Sequence, residues 1–233
     1  MAGVKSGGKE MHAPVVVNAT GPWSYVVAER AGPVLPACAI GHYYITTVPD
    51  PRFAVDPMSP AVRDQDNRIY SRPEVGGLLA GIYEAEPREY DMESLPADFD
   101  MSAMTAERDN LSVALLFEAA THRFPFLEKG IRFHVTHGIM TFTPNGSPLC
   151  GEIPGVKGLF HCAGFSGHGI VRSPSIGVVM ADLILEGKAG YDMEQLRADR
   201  YHDLPGYGTR PEIRAKGLRS YAGHYGKKDA RIN

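Results

Sequence analysis

Cysteine is scarce in this 233-residue chain. The three thiols, Cys38, Cys150 and Cys162, are an odd number with no close pair along the sequence, which argues against a disulfide scaffold and against a C-x-x-C zinc or redox motif. No apolar run reaches the roughly 18 residues of a membrane span. The opening residues hold no hydrophobic stretch followed by a small-residue cleavage site, so no secretory leader is predicted and a cytoplasmic location is expected. Charge of one sign is also missing: 24 Lys plus Arg face 27 Asp plus Glu, a formal net of −3. That balance argues against nucleic acid or an anionic membrane as the main partner. There is no internal repeat. What is abundant is backbone punctuation, because Gly (26) and Pro (18) make up about a fifth of the chain against a usual share of roughly 12%. A turn-rich β or α/β chain is expected, and 43% hydrophobic residues are enough for a packed core.

Several elements follow from local pattern. Gly7-Gly8 reads as a hairpin tip leading to a strand over 14–18. A short helix is expected over 24–31, a strand over 42–48, and a hairpin whose arms are 67–73 and 77–83. The spacing of Leu111, Leu115 and His122 predicts a long helix over 106–124, stopped by Pro125. A strand is expected over 131–142. It carries an H-x-x-H, but His134 and His137 would face opposite sides of it, so zinc binding is not expected there. From 205 to 233 seven basic residues face two acidic ones, and this composition reads as a solvated basic tail or linker.

The segment that carries chemistry is 158–187: a buried strand, then Gly164-Phe165-Ser166-Gly167-His168-Gly169, then a helix. Such a unit aims unpaired helix N–H groups and the positive end of the helix dipole at the turn, a site for an oxyanion, a phosphate or an electron-rich ring edge. The order G-x-x-G-x-G at the far end of the chain is not the G-x-G-x-x-G of a dinucleotide loop. His168 stands where a nucleophile elbow needs its last glycine. A flavin ring resting its pyrimidine edge on the helix start remains, alongside a glycine turn with no ligand.

Four stretches, VVVNATGPW (15–23), HYYITT (42–47), TPNGSPLCGEIPGVKGLFHCAGFSGHG (143–169) and SPSIGVVMADLILEG (173–187), together resemble the FAD-dependent amine oxidoreductases of the D-amino-acid oxidase superfamily, and in pattern its sarcosine and dimethylglycine dehydrogenases. The resemblance implies an α+β or α/β fold. A mixed substrate-domain sheet with flanking helices would be joined to the C-terminal strand–turn–helix of a glutathione-reductase-like FAD-binding domain. It implies FAD-domain segments at 1–35 and 143–204, a substrate-binding sheet at 36–142 and the basic tail at 205–233. FAD would lie against Ala19, Thr20, Gly21 and Trp23, and against Gly164, Ser166, Gly167, His168, Gly169 and Ile170. His42 and Tyr70 match the family's active-site histidine and tyrosine, and Arg63 and Arg72 would hold a substrate carboxylate.

The implied activity is oxidation of an N-methylated amino acid by hydride transfer to flavin, in the mitochondrial matrix if the source is eukaryotic. The G-x-G-x-x-G strand of full-length relatives has no counterpart here. The sequence is therefore expected to be the C-terminal portion of a longer or two-part protein. Its partners would be a complementary FAD-binding half and, from the resemblance of 207–225 to the run-in of folate-binding domains, such a domain in the parent. The alternative is a truncated, non-catalytic remnant or partner-dependent subunit that does not hold FAD alone.

Overall fold

The structure is a computed structural model and describes residues 2–96, 98–99, 110–153 and 155–224. In chain order the strands are β1 (Gly3–Ser6), β2 (Lys9–His12), β3 (Val16–Asn18), β4 (Cys38–Thr47), β5 (Val62–Asp64), β6 (Ile69–Glu74), β7 (Gly77–Ile82), β8 (Glu89–Tyr90), β9 (Phe133–Phe142), β10 (Leu149–Glu152) and β11 (Leu159–Ala163). The helices are α1 (Ser24–Arg30), α2 (Asn110–Arg123), α3 (Gly169–Glu186) and α4 (Arg210–Ala222). The chain divides into two compact units: Met1–Ile40 with Glu89–Ser94 and Met140–Ser220, and Gly41–Arg88 with Leu95–Ile139 and Tyr221–Asn233.

The first unit is built on a three-stranded sheet in the order β10-β11-β3. β3 runs parallel to β11 with Asn18 opposite His161, and β10 runs antiparallel to β11. The expected hairpin at Gly7-Gly8 is present as β1 paired with β2. Helix α3 packs Ile176 and Met180 over Cys150, with Phe160, Cys162 and Leu183 around them. Pro174 lies inside α3 and has no N–H to give the carbonyl four residues back. The Ser173 hydroxyl donates to that Ile170 carbonyl instead, at 3.0 Å.

Two cysteines that are twelve positions apart in sequence stand directly opposite each other here, Cys150 on β10 and Cys162 on β11. The Cys150 N–H donates to the Leu196 carbonyl and its carbonyl accepts from the Ala198 N–H. Its backbone groups therefore point away from β11, and the cysteine pair is of the non-hydrogen-bonded kind, whose Cα atoms lie about 4.5 Å apart.

The stretch 205–224 departs from its compositional reading. Through residue 224 it is not a solvated tail, because it contains α4, with Ile213 fully buried. Arg210 donates to the Ala37 and Leu35 carbonyls at 2.8 and 3.3 Å and stacks 3.9 Å from the Tyr25 ring centroid. It also pairs with Glu29 at 3.4 Å, and Arg214 pairs with Glu89. The charges are absorbed as packing and capping groups, which an average over composition does not reveal. Residues 225–233 of the expected tail lie outside the described residues.

The second unit holds a sheet running β5-β6-β7-β4, with β9 also paired to β4. Strand alternation divides its two faces. Tyr43, Ile45, Ile69, Leu78, Ala80 and Ile82 form a core with Leu116 and Ala120 of α2 and with Leu127, each buried Leu or Ile contributing about 1.5–3 kcal/mol. The buried stripe of α2 is not the one its spacing predicts: Leu111 and Leu115 are exposed, while Leu116 and Ala120 are at 0%. Both stripes recur at three- and four-residue intervals, and only the sheet beneath decides between them. The expected start of this helix at 106 lies outside the described residues.

Candidate active site

The residues expected beside a flavin all belong to the first unit. Because β3 and β11 are parallel neighbours, their carboxyl ends lie at the same edge of the sheet, where α/β ligands usually bind. Segments 19–23 and 164–169 leave the strands from that edge. Asn18 anchors the first of them. Its Oδ1 accepts from the Thr20 hydroxyl at 2.7 Å, and its Nδ2 donates to the Ser24 carbonyl at 2.8 Å and lies 2.9 Å from His161 Nδ1. His161 is fully buried, and burial lowers its pKa to about 4, so the ring is neutral and can accept the Asn18 donor. Ala19, Thr20 and Trp23 are then presented at the surface, with Trp23 40% exposed.

The second segment is fixed from beneath. Gly164 has φ +71°, and a Cβ on it would overlap Thr143 Cγ2, so this close approach to the 141–143 strand requires glycine. Ser166 is 1% exposed; its N–H donates to the Thr141 carbonyl and its hydroxyl joins the Thr143 N–H to the Gly164 carbonyl, both at 3.3 Å. The hydroxyl of Ser166 is thus used to lock the turn. His168 Nδ1 meets the Ser166 carbonyl, not that hydroxyl, at 3.1 Å. The arrangement of a serine nucleophile with its base is not formed here.

Helix α3 begins at Gly169 with no side-chain cap from His168. Its first N–H groups therefore face outward, and beside them Ile170 and Val171 are 95% and 73% exposed. An uncapped positive helix end bordered by apolar side chains fits the electron-rich edge and flat face of a flavin ring.

The residues expected to handle an amine belong to the second unit, on the sheet face opposite α2. His42 of β4 is buried, with Nε2 2.8 Å from the Tyr70 hydroxyl and Nδ1 2.9 Å from the Tyr221 hydroxyl. Tyr221 donates to Glu84 Oε2 at 2.5 Å. Burial, reinforced by His224, lowers the His42 pKa to about 3; burial raises that of Glu84 and raises that of Tyr221. Tyr83 completes an aromatic cage, its ring 4.6 Å from His42 and 4.9 Å from Tyr221. Tyr70 reaches His42 by lying across Gly81 of β7, where any Cβ would overlap its ring.

Of the two arginines, Arg63 sits opposite Tyr70 in the β5–β6 pair, so the two side chains share a face. Arg72 is held by Glu74 at 2.5 Å. His42, Tyr70, Arg63 and Arg72 thus fall on one sheet face by strand alternation, and Arg72 pairs there with Glu74. Sequence reading missed Asn18, Thr143, Gly81, Glu84 and Tyr221. Only Gly81, a lone glycine inside a strand pattern, carried a local signal, since such glycines mark close approach. No group of three or more metal-ligating side chains occurs among the described residues.

The family model described as FAD dependent oxidoreductase matches residues 1–183, and the chain belongs to that family. It is 32% identical over 230 residues to the mitochondrial sarcosine dehydrogenase of Homo sapiens, covering 97% of this chain and 24% of that one. With the mitochondrial dimethylglycine dehydrogenase of Mus musculus it shares 30% over 193 residues, covering 80% and 22%. Among solved structures, L-proline dehydrogenase from P. horikoshii superposes with a TM-score of 0.67 at 25% identity, covering 86% of this chain and 50% of that one. The chain thus spans about a quarter of the length of the curated relatives it matches. No helix among the described residues is long and apolar enough to cross a membrane.

Proposed function

We propose that this chain supplies the flavin-ring wall and the amine-handling face of an FAD-dependent oxidoreductase acting on an N-methylated amino acid of the sarcosine or dimethylglycine type. The observation that carries this reading is His42 held neutral between two tyrosine hydroxyls. The relatives named as sarcosine and dimethylglycine dehydrogenases supply the substrate class. FAD, when bound at the 19–23 and 164–170 segments, would supply the acceptor for the hydride of the C–H next to the amine nitrogen.

The chain's own residues do the rest. The α3 start and its outward N–H groups hold the electron-rich ring edge and favour negative charge there. Trp23, Ile170 and Val171 give that ring an apolar surface to lie on. Tyr70 and His42 orient the substrate nitrogen and favour its neutral form, whose adjacent C–H bond can be oxidised. Arg63 anchors the carboxylate, and Arg72 does so only by exchanging Glu74 for it.

A complementary nucleotide-binding half is the partner this reading requires, with a folate-binding domain in the parent protein and a mitochondrial location in a eukaryotic source. The test is to express the chain, add FAD, and measure flavin absorbance after gel filtration together with N-methylglycine turnover using a dye acceptor. Retained flavin with turnover is expected when the missing half is supplied; a folded, complemented protein showing neither would overturn the reading.

A second reading has its own observation. The mitochondrial pyruvate dehydrogenase phosphatase regulatory subunit of Mus musculus is 26% identical over 206 residues, covering 88% of this chain. A partner-dependent, non-catalytic subunit is therefore the alternative, and flavin-free association with a second protein would favour it.

A further inference from the structure

The hydrogen bonds around His42 continue past it. Tyr70 Oη meets His42 Nε2 at 2.8 Å, His42 Nδ1 meets Tyr221 Oη at 2.9 Å, and Tyr221 meets Glu84 Oε2 at 2.5 Å. All four side chains belong to the second unit. Glu84 Oε1 is buried without a hydrogen-bond partner among the described residues. Glu84 also lines a cleft of about 440 Å³ whose other walls include Arg68, Glu86, Leu115, Glu118 and His122. We propose that Tyr221 and Glu84 are positioning residues of a buried proton relay, Tyr70–His42–Tyr221–Glu84, that carries the proton of a bound alkylammonium away toward this cleft. The inference rests on the amine-oxidation reading above.

The direction of each bond follows from counting hydrogens. A tyrosine has one hydroxyl hydrogen. When Glu84 is ionised, Tyr221 gives that hydrogen to it, so His42 must carry its proton on Nδ1 and accept from Tyr70 on Nε2. When one proton enters at Tyr70 from the ammonium, Tyr70's own proton moves to His42 Nε2. The Nδ1 proton then moves to Tyr221 Oη, and Tyr221's former proton moves to Glu84 Oε2. The products are a neutral amine, an Nε2–H histidine and a carboxylic acid at Glu84, with no atom or charge left over.

His42 stays neutral at both ends of this exchange, in keeping with burial that disfavours imidazolium. Burial likewise raises the Glu84 pKa, making it a better terminal acceptor than an exposed carboxylate. The titratable groups that face the relay are Tyr83, whose ring lies against His42, His224, whose ring lies behind Tyr83, and Arg68, Glu86, Glu118 and His122 around the cleft.

The readout is the His42 tautomer, followed by ¹⁵N NMR on the full chain labelled at histidine, from about pH 4 to 9, a range that starts at the usual carboxylate value and runs upward from it. The unaltered chain should pass from Nε2–H at the acid end to Nδ1–H at the alkaline end. Glu84→Gln keeps an acceptor but removes the ionisable group, and Tyr221→Phe keeps the ring but removes the link. Both should abolish the switch while the His161 signal stays unchanged as a sign of intact folding. A single tautomer throughout in the unaltered chain, or the same switch in Glu84→Gln, would overturn the relay. In turnover with N-methylglycine, Tyr221→Phe should lower kcat/KM about 10- to 100-fold at neutral pH, of the order expected for proton transfer. Glu84→Gln should remove the acid limb of the profile. An unaltered limb would also overturn the relay. Turnover is measured with the complementary half supplied, and its absence in that complemented, unaltered protein would instead count against amine oxidation, since the tautomer is read without substrate.

Discussion

Gly81→Ala perturbs the candidate site without removing a polar group. Its Cβ would land on Tyr70 Cζ, Oη and Cε1, so the ring must retreat by about 1.2–1.7 Å to regain ordinary carbon contact distances of about 3.5–4 Å. A hydroxyl now 2.8 Å from His42 Nε2 cannot hold that bond through such a shift. Overpacking costs about 1–3 kcal/mol, and the lost hydrogen bond about 1 kcal/mol more. Alanine returns roughly 0.5–1 kcal/mol, because glycine is entropically poor inside a strand. A net loss of about 1–3 kcal/mol is expected, which at a urea slope of about 2–3 kcal/mol per molar is a midpoint lowered by roughly 0.3–1.5 M. The control is the same substitution in a Tyr70→Ala background, where no ring is in the way. There Gly81→Ala should be neutral or stabilising by up to about 1 kcal/mol. Equal losses in both backgrounds would show that Gly81 serves something other than the passage of Tyr70 to His42.

Other outcomes follow from the same geometry. Cys150 and Cys162 oppose each other at a separation that a disulfide can span, and the Cys150–Cys162 hydrogen bond lowers the Cys162 pKa, so hydrogen peroxide should remove two of the three thiols and yield two waters. Mass spectrometry finding Cys38 in the bridge would refute this, since Cys38 is buried and its pKa is raised to about 12. Acid should weaken the fold through two histidines whose folded pKa values, about 3 for His42 and about 4 for His161, lie below the unfolded value of about 6.5. The unfolded chain binds more protons in that window. Stability is therefore full above about pH 6.5 and falls toward pH 4, by up to about 1.4 kcal/mol per pH unit for each ring; His161→Gln should flatten the slope measured by urea titration. Ile170→Asp should stabilise α3 by about 0.3–1 kcal/mol through the helix dipole, yet weaken FAD binding about tenfold or more by repelling the ring edge. Tighter flavin retention in that variant would sink the assignment of the α3 start.

What was legible in the sequence was local, and what was missed was distant. The strand, glycine turn and helix of 158–187 could be read because alternation, glycine and helical spacing are all encoded within a few residues. His42 and Tyr70, 28 positions apart, came only through a resemblance. Tyr221 lies 179 positions from His42 and 137 from Glu84, and no local period records such a meeting. The tail misled for a different reason. Averaged over 29 residues its charge reads as solvated, but packing depends on position and not on the mean. Ile213, Gly217 and Tyr221 recur every four residues along α4, the spacing of one helix face; the first and last are fully buried and Gly217 lies against Cys38. The charged side chains of the helix lie off this stripe, and one of them, Arg210 at its start, tucks its guanidinium onto backbone carbonyls and a tyrosine ring. A helical stripe this thin is outvoted in any window average, yet it brings the hydroxyl that meets His42.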